Sequence, residues 1–395
     1  MHILSVNGQT LHYQLDGPAH LPLIVFSNSL GTDLRVWEPL LPYLRDQFRF
    51  LRYDKRGHGL SSCPPAPYHP DDHINDLIGL LDALELSQVN LCGLSVGGQI
   101  AQGVAARRPD LVKNLILCDT AHRIGTADMW NTRIDALVDQ GLESMADGIL
   151  ERWFGAQFHD EQRDAMPLWR NMLVRTPVEG YGGTCAAIRD TDLEASTREL
   201  KQPTLCVVGS EDGSTPPDLV RSLADLIPDS RFEVIEGAGH LPCAEQPKAL
   251  AHLIVDFLSQ HTPASSRYEL GMTVRRSVLG NAHVDRAEAN KTSFDEPFQR
   301  FITESAWGSV WSRPTLSRRD RSLITIALMA ALGHEDELAM HVRATRQTGA
   351  SLEEVRETLL HLGVYAGVPA SNTAIRIAKD AYKSIGVAID GETEQ

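Results

Sequence analysis

The stretch Val89-Asn90-Leu91-Cys92-Gly93-Leu94-Ser95-Val96-Gly97-Gly98-Gln99-Ile100-Ala101 limits what this chain can fold into more than any other part of it. It reads as a short buried strand, a tight turn and the start of a helix, with Ser95 at the turn. Glycines at 93 and 97 flank the serine as Gly-x-Ser-x-Gly. Without side chains at those positions, strand and helix can approach closely while the serine is pushed out on a strained backbone. That arrangement, a nucleophile elbow, makes a serine hydroxyl accessible at the end of a sheet.

The flanking sequence supplies such a sheet. Residues 21–26, 48–53, 112–118, 204–209 and 231–235 are short apolar runs of strand character. Amphipathic helices are expected near 72–84, after a Pro-rich turn at 64–70, and near 247–259. Strand alternating with helix at this spacing implies a mainly parallel sheet covered on both faces. Residues from about 122 to 196 interrupt the alternation. They read as helices rich in Trp, Met and Arg, the pattern of a cap inserted over an active site.

A chain of 395 residues exceeds what most single cores use, so two domains are expected. Residues 260–267 are polar and lack periodicity, which places a linker at 261–268 between a first domain, 1–260, and a second, 269–395. Everything beyond the linker reads helical. Residues 297–310 are followed by 316–332, apolar nearly all round and hence expected to be buried, stopping at Gly333. A helix over 335–348 stops at Gly349, Ser351-Leu352-Glu353-Glu354 is a capping box, and Pro369 suits the first turn of a last helix ending near Gly386.

The net charge of −15 argues against nucleic acid and anionic membranes as partners, and an anionic substrate would need arginines placed locally against that field. Residues 1–8 lack a basic segment followed by an apolar run, and no stretch is long and apolar enough to span a bilayer, so a cytoplasmic location is expected. Cysteines 63, 92, 118, 185, 206 and 243 are never spaced as Cys-x-x-Cys. This argues against a disulfide frame, zinc or dithiol chemistry, and the six are expected to be small core fillers. No metal or other cofactor is expected.

Ser95, Asp212 and His240 occur in the order nucleophile, acid, base, each just after an expected strand. His240, in Gly237-Ala238-Gly239-His240, would take the proton from Ser95, while Asp212 would hold the imidazole in the correct tautomer and stabilise its charged form. Glu211 is the alternative acid; the shorter side chain of Asp212 is preferred at such a turn.

At this point the sequence resembles a known family. Asn28-Ser29-Leu30-Gly31-Thr32-Asp33, Asp54-x-Arg56-Gly57-His58-Gly59-x-Ser61, the elbow and Gly237-Ala238-Gly239-His240-Leu241 are similar to the 3-oxoadipate enol-lactonases, within the α/β-hydrolase fold with a helical cap. The resemblance implies an oxyanion hole from the backbone N–H groups of Leu30 and Val96. Asp54 and Arg56 are expected to fix the loop at the sheet end. The free carboxylate of an enol-lactone needs a cation, for which the cap offers Arg133 beside Trp130, with Arg152 and Trp153 as alternatives.

The second domain resembles the carboxymuconolactone decarboxylase family, whose all-α fold is alkylhydroperoxidase-D-like. The residues that carry this are Ile302-Thr303-Glu304-x-Ala306-Trp307-Gly308-x-Val310-Trp311-Ser312-Arg313-Pro314, Arg318-Arg319-Asp320-Arg321-Ser322-Leu323-Ile324-Thr325, Glu335-Asp336-Glu337-Leu338-Ala339-Met340-His341-Val342-Arg343 and His361-Leu362-Gly363-Val364-Tyr365-Ala366-Gly367-Val368-Pro369. The peroxidase branch uses a Cys-x-x-Cys pair, and this domain has no cysteine. A lactone decarboxylase carries its electron sink in the substrate, so it needs donors at the carbonyl oxygen and a proton for carbon. Glu337 and His341, i and i+4 on one helix face, are expected to form an oriented pair, with His341 or His361 as proton donor. Arg313, Arg321 and Arg343 are candidates for the substrate carboxylates, and Glu304 with Trp307 for structural roles.

Together the two resemblances imply a fused decarboxylase and lactonase of the protocatechuate branch of the β-ketoadipate pathway, acting on small anionic lactones and assembling as a homo-oligomer through the helical domain. The alternative is a general carboxylesterase whose helical tail is a non-catalytic oligomerisation module.

Overall fold

Eight strands form one sheet in the computed structural model, which describes residues 2–18, 21–261, 264–313 and 315–389, without the side chains of 264–266. The strands are β1 (His2–Val6), β2 (Gln9–Asp16), β3 (Leu23–Ser27), β4 (Arg49–Tyr53), β5 (Val89–Leu94), β6 (Val112–Cys118), β7 (Thr204–Gly209) and β8 (Arg231–Ile235). Their order across the sheet is β1-β2-β4-β3-β5-β6-β7-β8. β1 and β2 pair antiparallel, as do β2 and β4, and the rest are parallel. Every residue of β5 and β7 is buried, because helices cover both faces of the sheet centre.

The hairpin β1-β2 is absent from the strand pattern described above. Its residues mix polar and apolar at a largely exposed sheet edge, and its turn is Asn7-Gly8, both at positive φ (50° and 75°), which matches the right-handed twist of a two-residue hairpin.

The helices of this half are α1 (Pro70–Ala83), α2 (Val96–Arg107), α3 (Ala127–Trp153), α4 (Ala156–Glu161), α5 (Met166–Val174), α6 (Val178–Arg189), α7 (Glu194–Arg198), α8 (Pro217–Leu226), α9 (Pro242–Glu245) and α10 (Pro247–Gln260). Helices α3 to α7 fill the interval between β6 and β7, and α3 is broken at Gly141. One continuous core joins the sheet, its flanking helices and the inner faces of α3 and α6. Five of the six cysteines are buried; Cys63, in the Pro-rich turn, is exposed and fills no core.

The chain divides into two compact units, 1–261 and 262–395. The linker expected at 261–268 is largely helix instead: α11 (Ala264–Leu279) begins only four residues after α10 ends, and 262 and 263 lie outside the described residues. Ala264 and Arg267 are good helix formers, so a polar stretch without periodicity did not preclude a helix. The second unit continues with α12 (Asn281–Ala289), α13 (Glu296–Ile302), a π-helical stretch over Thr303–Trp311, α14 (Arg318–Leu332), α15 (Glu335–Arg343), α16 (Thr345–Thr348), α17 (Leu352–Tyr365) and α18 (Val368–Ser384). The capping box forms, with Ser351 Oγ accepting from the Glu354 N–H at 3.1 Å and Glu354 Oε2 from the Ser351 N–H at 2.9 Å.

Helix α14 is not buried all round. Ser322, Ile326 and Ala330 face α15, α17 and α18, whereas Ile324, Leu328 and Leu332 are exposed. Within one chain only one of its apolar faces finds a partner.

Candidate active site

Ser95 joins β5 to α2 at φ 58°, ψ −122°, a conformation that a side chain rarely adopts. Its glycine neighbours are obligatory on steric grounds. A Cβ on Gly93 would lie 2.3 Å from the Gly97 carbonyl oxygen, and one on Gly97 would lie 2.0 Å from the Ser27 carbonyl oxygen on β3. The strained turn is pinned from β6 and the loop after it: the Ser95 N–H donates to the Cys118 carbonyl at 3.0 Å, and Thr120 Oγ1 donates to the Ser95 carbonyl at 2.6 Å.

His240 follows β8, and its N–H donates to the Trp153 carbonyl at the end of α3. Glu245 holds this loop by accepting from the N–H groups of Gly239 (2.9 Å) and Gly155 (2.7 Å). His240 Nδ1 lies 2.9 Å from Asp212 Oδ2, both side chains being buried. Asp212 accepts three further bonds, from the N–H groups of Ser214 (2.7 Å) and Thr215 (3.1 Å) and from Thr215 Oγ1 (2.6 Å). Burial alone would raise the pKa of this carboxyl, but the charge of His240 and these bonds outweigh it and hold the group below the usual carboxylate range. The alternative acid, Glu211, points elsewhere and accepts from the Ala156 N–H at 2.9 Å.

Ser95, His240 and Thr215 line one cavity with Ser29 and Leu30 of the loop after β3, under a roof of Trp130, Arg133, Ile149, Arg152, Trp153 and Tyr181. Among the described residues, no protein acceptor takes the N–H of Leu30 or Val96. Val96 is also the first residue of α2, where the helix dipole favours a developing negative charge. Arg133 donates to Tyr181 Oη at 2.8 Å, and its guanidinium lies over the rings of Trp130 (5.5 Å) and Tyr181 (5.7 Å). Neither it nor Arg152 has a carboxylate partner among the described residues. Arg133 is half-buried, while Arg152 is exposed and donates to the Gly148 carbonyl.

Asp54 and Arg56 are not among the residues lining this cavity. Asp54 accepts from the N–H groups of Leu34 and Leu60 and pairs with His12, and Arg56 forms a forked pair with Asp76 (2.7 and 2.8 Å).

Sequence reasoning missed Asp119, fully buried just after β6. It lies with Asp212 and His240 in a cluster whose ligand atoms are within 4.8 Å of one another. Oδ1 accepts from the Gly209 N–H at 2.9 Å and Oδ2 has no partner. Burial, then the negative charge of Asp212, pushes this carboxyl well above its ordinary value. Both effects disfavour the ionised form of Asp119 beside Asp212. A cation held through His240 Nδ1 would break the His240–Asp212 bond. The signal for Asp119 was present: an acid at the C-terminal end of a third neighbouring strand.

In the second unit His341 is buried on α15, its ring stacked on Trp311 with centroids 6.0 Å apart and planes 13° apart. Its Nδ1 has no hydrogen-bond partner among the described residues. Burial, then the proximity of His283 on α12, lowers its pKa to about 4, against a weaker opposing effect of Glu337. The ring is neutral at neutral pH and can donate one N–H hydrogen bond. The oriented Glu337–His341 pair does not form: Glu337 is exposed and no hydrogen bond joins the two, because the i, i+4 spacing shares a side of the helix but only His341 turns inward. His361 is exposed on α17 with its ring 4.8 Å from Tyr365, so the single chain does not bring it to His341.

Arg321 donates to the Arg313 carbonyl at 3.1 Å, and burial together with the charge of Arg313 lowers its pKa. No acid pairs with either guanidinium among the described residues. Pro314, beside them in sequence, lies outside those residues. Arg343 is exposed, and its charge acts on His283. Glu304 pairs with Arg300, and Trp307 packs on Val274 and Val278. Sequence reasoning missed His283 because it sits in a polar stretch without periodicity.

Residues 22–247 match the alpha/beta hydrolase fold family, and residues 296–380 match the carboxymuconolactone decarboxylase family. The chain is 34% identical over 251 residues to 3-oxoadipate enol-lactonase 2 of Acinetobacter baylyi, covering 64% of this chain and 94% of that protein. It is 50% identical over 122 residues to 4-carboxymuconolactone decarboxylase of the same organism, covering 31% of this chain and 91% of that protein. The crystal structure of the enol-lactonase from Burkholderia xenovorans LB400 superimposes with a TM-score of 0.64 at 38% identity, covering 65% of this chain and 100% of that one.

Proposed function

This chain belongs to the alpha/beta hydrolase fold family and carries a carboxymuconolactone decarboxylase family domain behind it, and on that premise we propose that it is a bifunctional enzyme of protocatechuate catabolism. The helical domain decarboxylates 4-carboxymuconolactone to 3-oxoadipate enol-lactone, and the hydrolase domain opens that lactone to 3-oxoadipate. The observation that carries the second step is the cavity lined by Ser95, His240 and Arg133, a half-buried cation without a carboxylate partner among the described residues. An ester-cleaving pair facing an unpaired guanidinium suits a lactone bearing a free carboxylate.

In this reading Ser95 attacks the lactone carbonyl while His240 takes its proton and Asp212 stabilises the imidazolium. The N–H groups of Leu30 and Val96 meet the oxyanion. Collapse expels an enolate, a better leaving group than an alkoxide, which settles as the ketone after protonation, and water then frees the acid from Ser95. Arg133→Met should raise KM for the enol-lactone by about 10- to 100-fold, the weight of one charge-assisted hydrogen bond, with a smaller effect on kcat. Steady-state kinetics checks this, and an unchanged KM would pass the role to Arg152.

For the decarboxylase, loss of CO2 leaves a dienolate whose charge rests on the lactone carbonyl oxygen. Neutral His341 is a buried donor for that oxygen or for the carbon that is protonated, and Arg313 with Arg321 are cations for the substrate carboxylates. His341→Gln should slow CO2 release by about 10²- to 10⁴-fold while hydrolysis of added enol-lactone continues at the wild-type rate. Equal loss of both activities would indicate misfolding instead.

The reading includes a homo-oligomer through the helical domain. Ile324, Leu328 and Leu332 on α14, and Leu360 and Val364 on α17, are apolar stripes left exposed in one chain, at the spacing of helix faces that pair. Six unpaired cysteines suit a reducing, cytoplasmic compartment. No helix among the described residues is long and apolar enough to cross a membrane.

A further inference from the structure

The loop that bears the Leu30 N–H is held from below by a lysine. Lys55 is 1% exposed and has no carboxylate ion pair among the described residues. Its Nζ donates to the Ser29 carbonyl at 2.6 Å, with the Thr32 carbonyl at 3.5 Å. The Ser29 carbonyl also accepts from Thr32 Oγ1 at 2.9 Å and from the Thr32 N–H at 3.3 Å. Three donors on one oxygen fix the plane of the Ser29–Leu30 peptide.

A trans peptide points its C=O and its N–H in opposite directions within one plane, so the Leu30 N–H points away from Lys55. The next two N–H groups are engaged, Gly31 with His58 Nε2 at 3.0 Å and Thr32 with Ser29. Leu30 has the N–H left without a protein acceptor in this run, and Ser29 and Leu30 line the cavity with Ser95.

We propose that Lys55 is a positioning residue for the oxyanion hole, orienting and polarising the Ser29–Leu30 peptide so that the Leu30 N–H meets the oxygen of the tetrahedral intermediate. This rests on the hydrolase reading given above. A donor at a carbonyl polarises the whole amide and strengthens its N–H as a donor, the more so in a buried setting. The buried ammonium is costly: desolvation pulls its pKa down to about 7 despite the charges of Asp54 and Asp33. Stability alone would favour an apolar side chain at such depth. His58 fits the same picture, since accepting from Gly31 requires a neutral ring, and burial and the charge of Lys55 keep it so.

The test is Lys55→Met in the full chain, read by kcat and KM for the enol-lactone, by the affinity of a boronic acid that adds to Ser95 as a tetrahedral mimic, by the affinity of the product 3-oxoadipate, and by Tm. The expected result is a fall in kcat of about 10- to 100-fold, below the full loss of an oxyanion donor, with boronate affinity falling in the same proportion and product affinity and Tm preserved. Unchanged kcat and boronate affinity overturn the inference, as does a common fall of kcat, product affinity and Tm. If the Met variant does not fold, Lys55→Gln is read alone. A parallel loss in kcat and boronate affinity against unchanged product affinity supports the inference, and any other pattern overturns it. A wild-type chain that leaves the enol-lactone intact, or opens it without Ser95, would sink the hydrolase reading itself. Wild-type hydrolysis that depends on Ser95 but not on Lys55 sinks only the role of Lys55.

Discussion

Ser95→Ala lowers kcat for opening the enol-lactone by about 10⁴-fold or more and leaves decarboxylation untouched, so 4-carboxymuconolactone given to the variant stops at the enol-lactone with its CO2 already released. In the proposed mechanism the loss is this large because every other part of the site acts through the serine oxygen. Without it His240 would have no proton to take, and the N–H groups of Leu30 and Val96 no tetrahedral oxyanion to stabilise. The substitution is also clean. Alanine at φ 58° is no more strained than serine there, and the turn is held by the backbone of Ser95, through Cys118 and Thr120, rather than by its hydroxyl. Time-resolved NMR of the reaction mixture distinguishes the outcomes: accumulation of enol-lactone is expected, and full conversion to 3-oxoadipate would remove Ser95 from the mechanism.

Asp212→Asn has the next largest effect, a fall in kcat of about 10³- to 10⁴-fold with KM little changed. The carboxylate accepts from two backbone N–H groups, a hydroxyl and the imidazole. An amide in its place must turn its NH2 toward one of these donors. Toward His240 it forces the ring into the wrong tautomer; toward Ser214 and Thr215 it breaks the turn that positions it. Glu211→Gln is the control, because that side chain is engaged with the Ala156 N–H and not with His240, so kcat should stay close to wild type. If Glu211→Gln were the slower variant, the acid would have been assigned to the wrong neighbour.

The elbow is the most legible part of this chain because each requirement falls on one local residue: two glycines that contact opposing carbonyl oxygens and a serine forced into a strained turn. The choice between Asp212 and Glu211 is another matter. Adjacent acids on one turn look alike in sequence, and only the direction of each side chain, one toward His240 and the other toward the cap, separates them. Lys55 and His283 were invisible for a related reason. Polar residues in polar stretches read as solvated, and what buries them is packing between segments far apart in the chain. The hairpin β1-β2 was overlooked although its Asn7-Gly8 turn is a strong local signal, since an edge hairpin mixes polar and apolar residues where the central strands are apolar throughout. Glu337 and His341 show the reverse failing. Helical spacing places them on one side of α15, but spacing says nothing about which of the two turns inward.

Product analysis on the purified full chain supplied with 4-carboxymuconolactone tests the bifunctional reading most directly. Equimolar CO2 and 3-oxoadipate, with the enol-lactone as a transient intermediate, is the expected result. Hydrolysis of simple esters with no CO2 released from this substrate would contradict it, leaving an esterase with a non-catalytic helical tail.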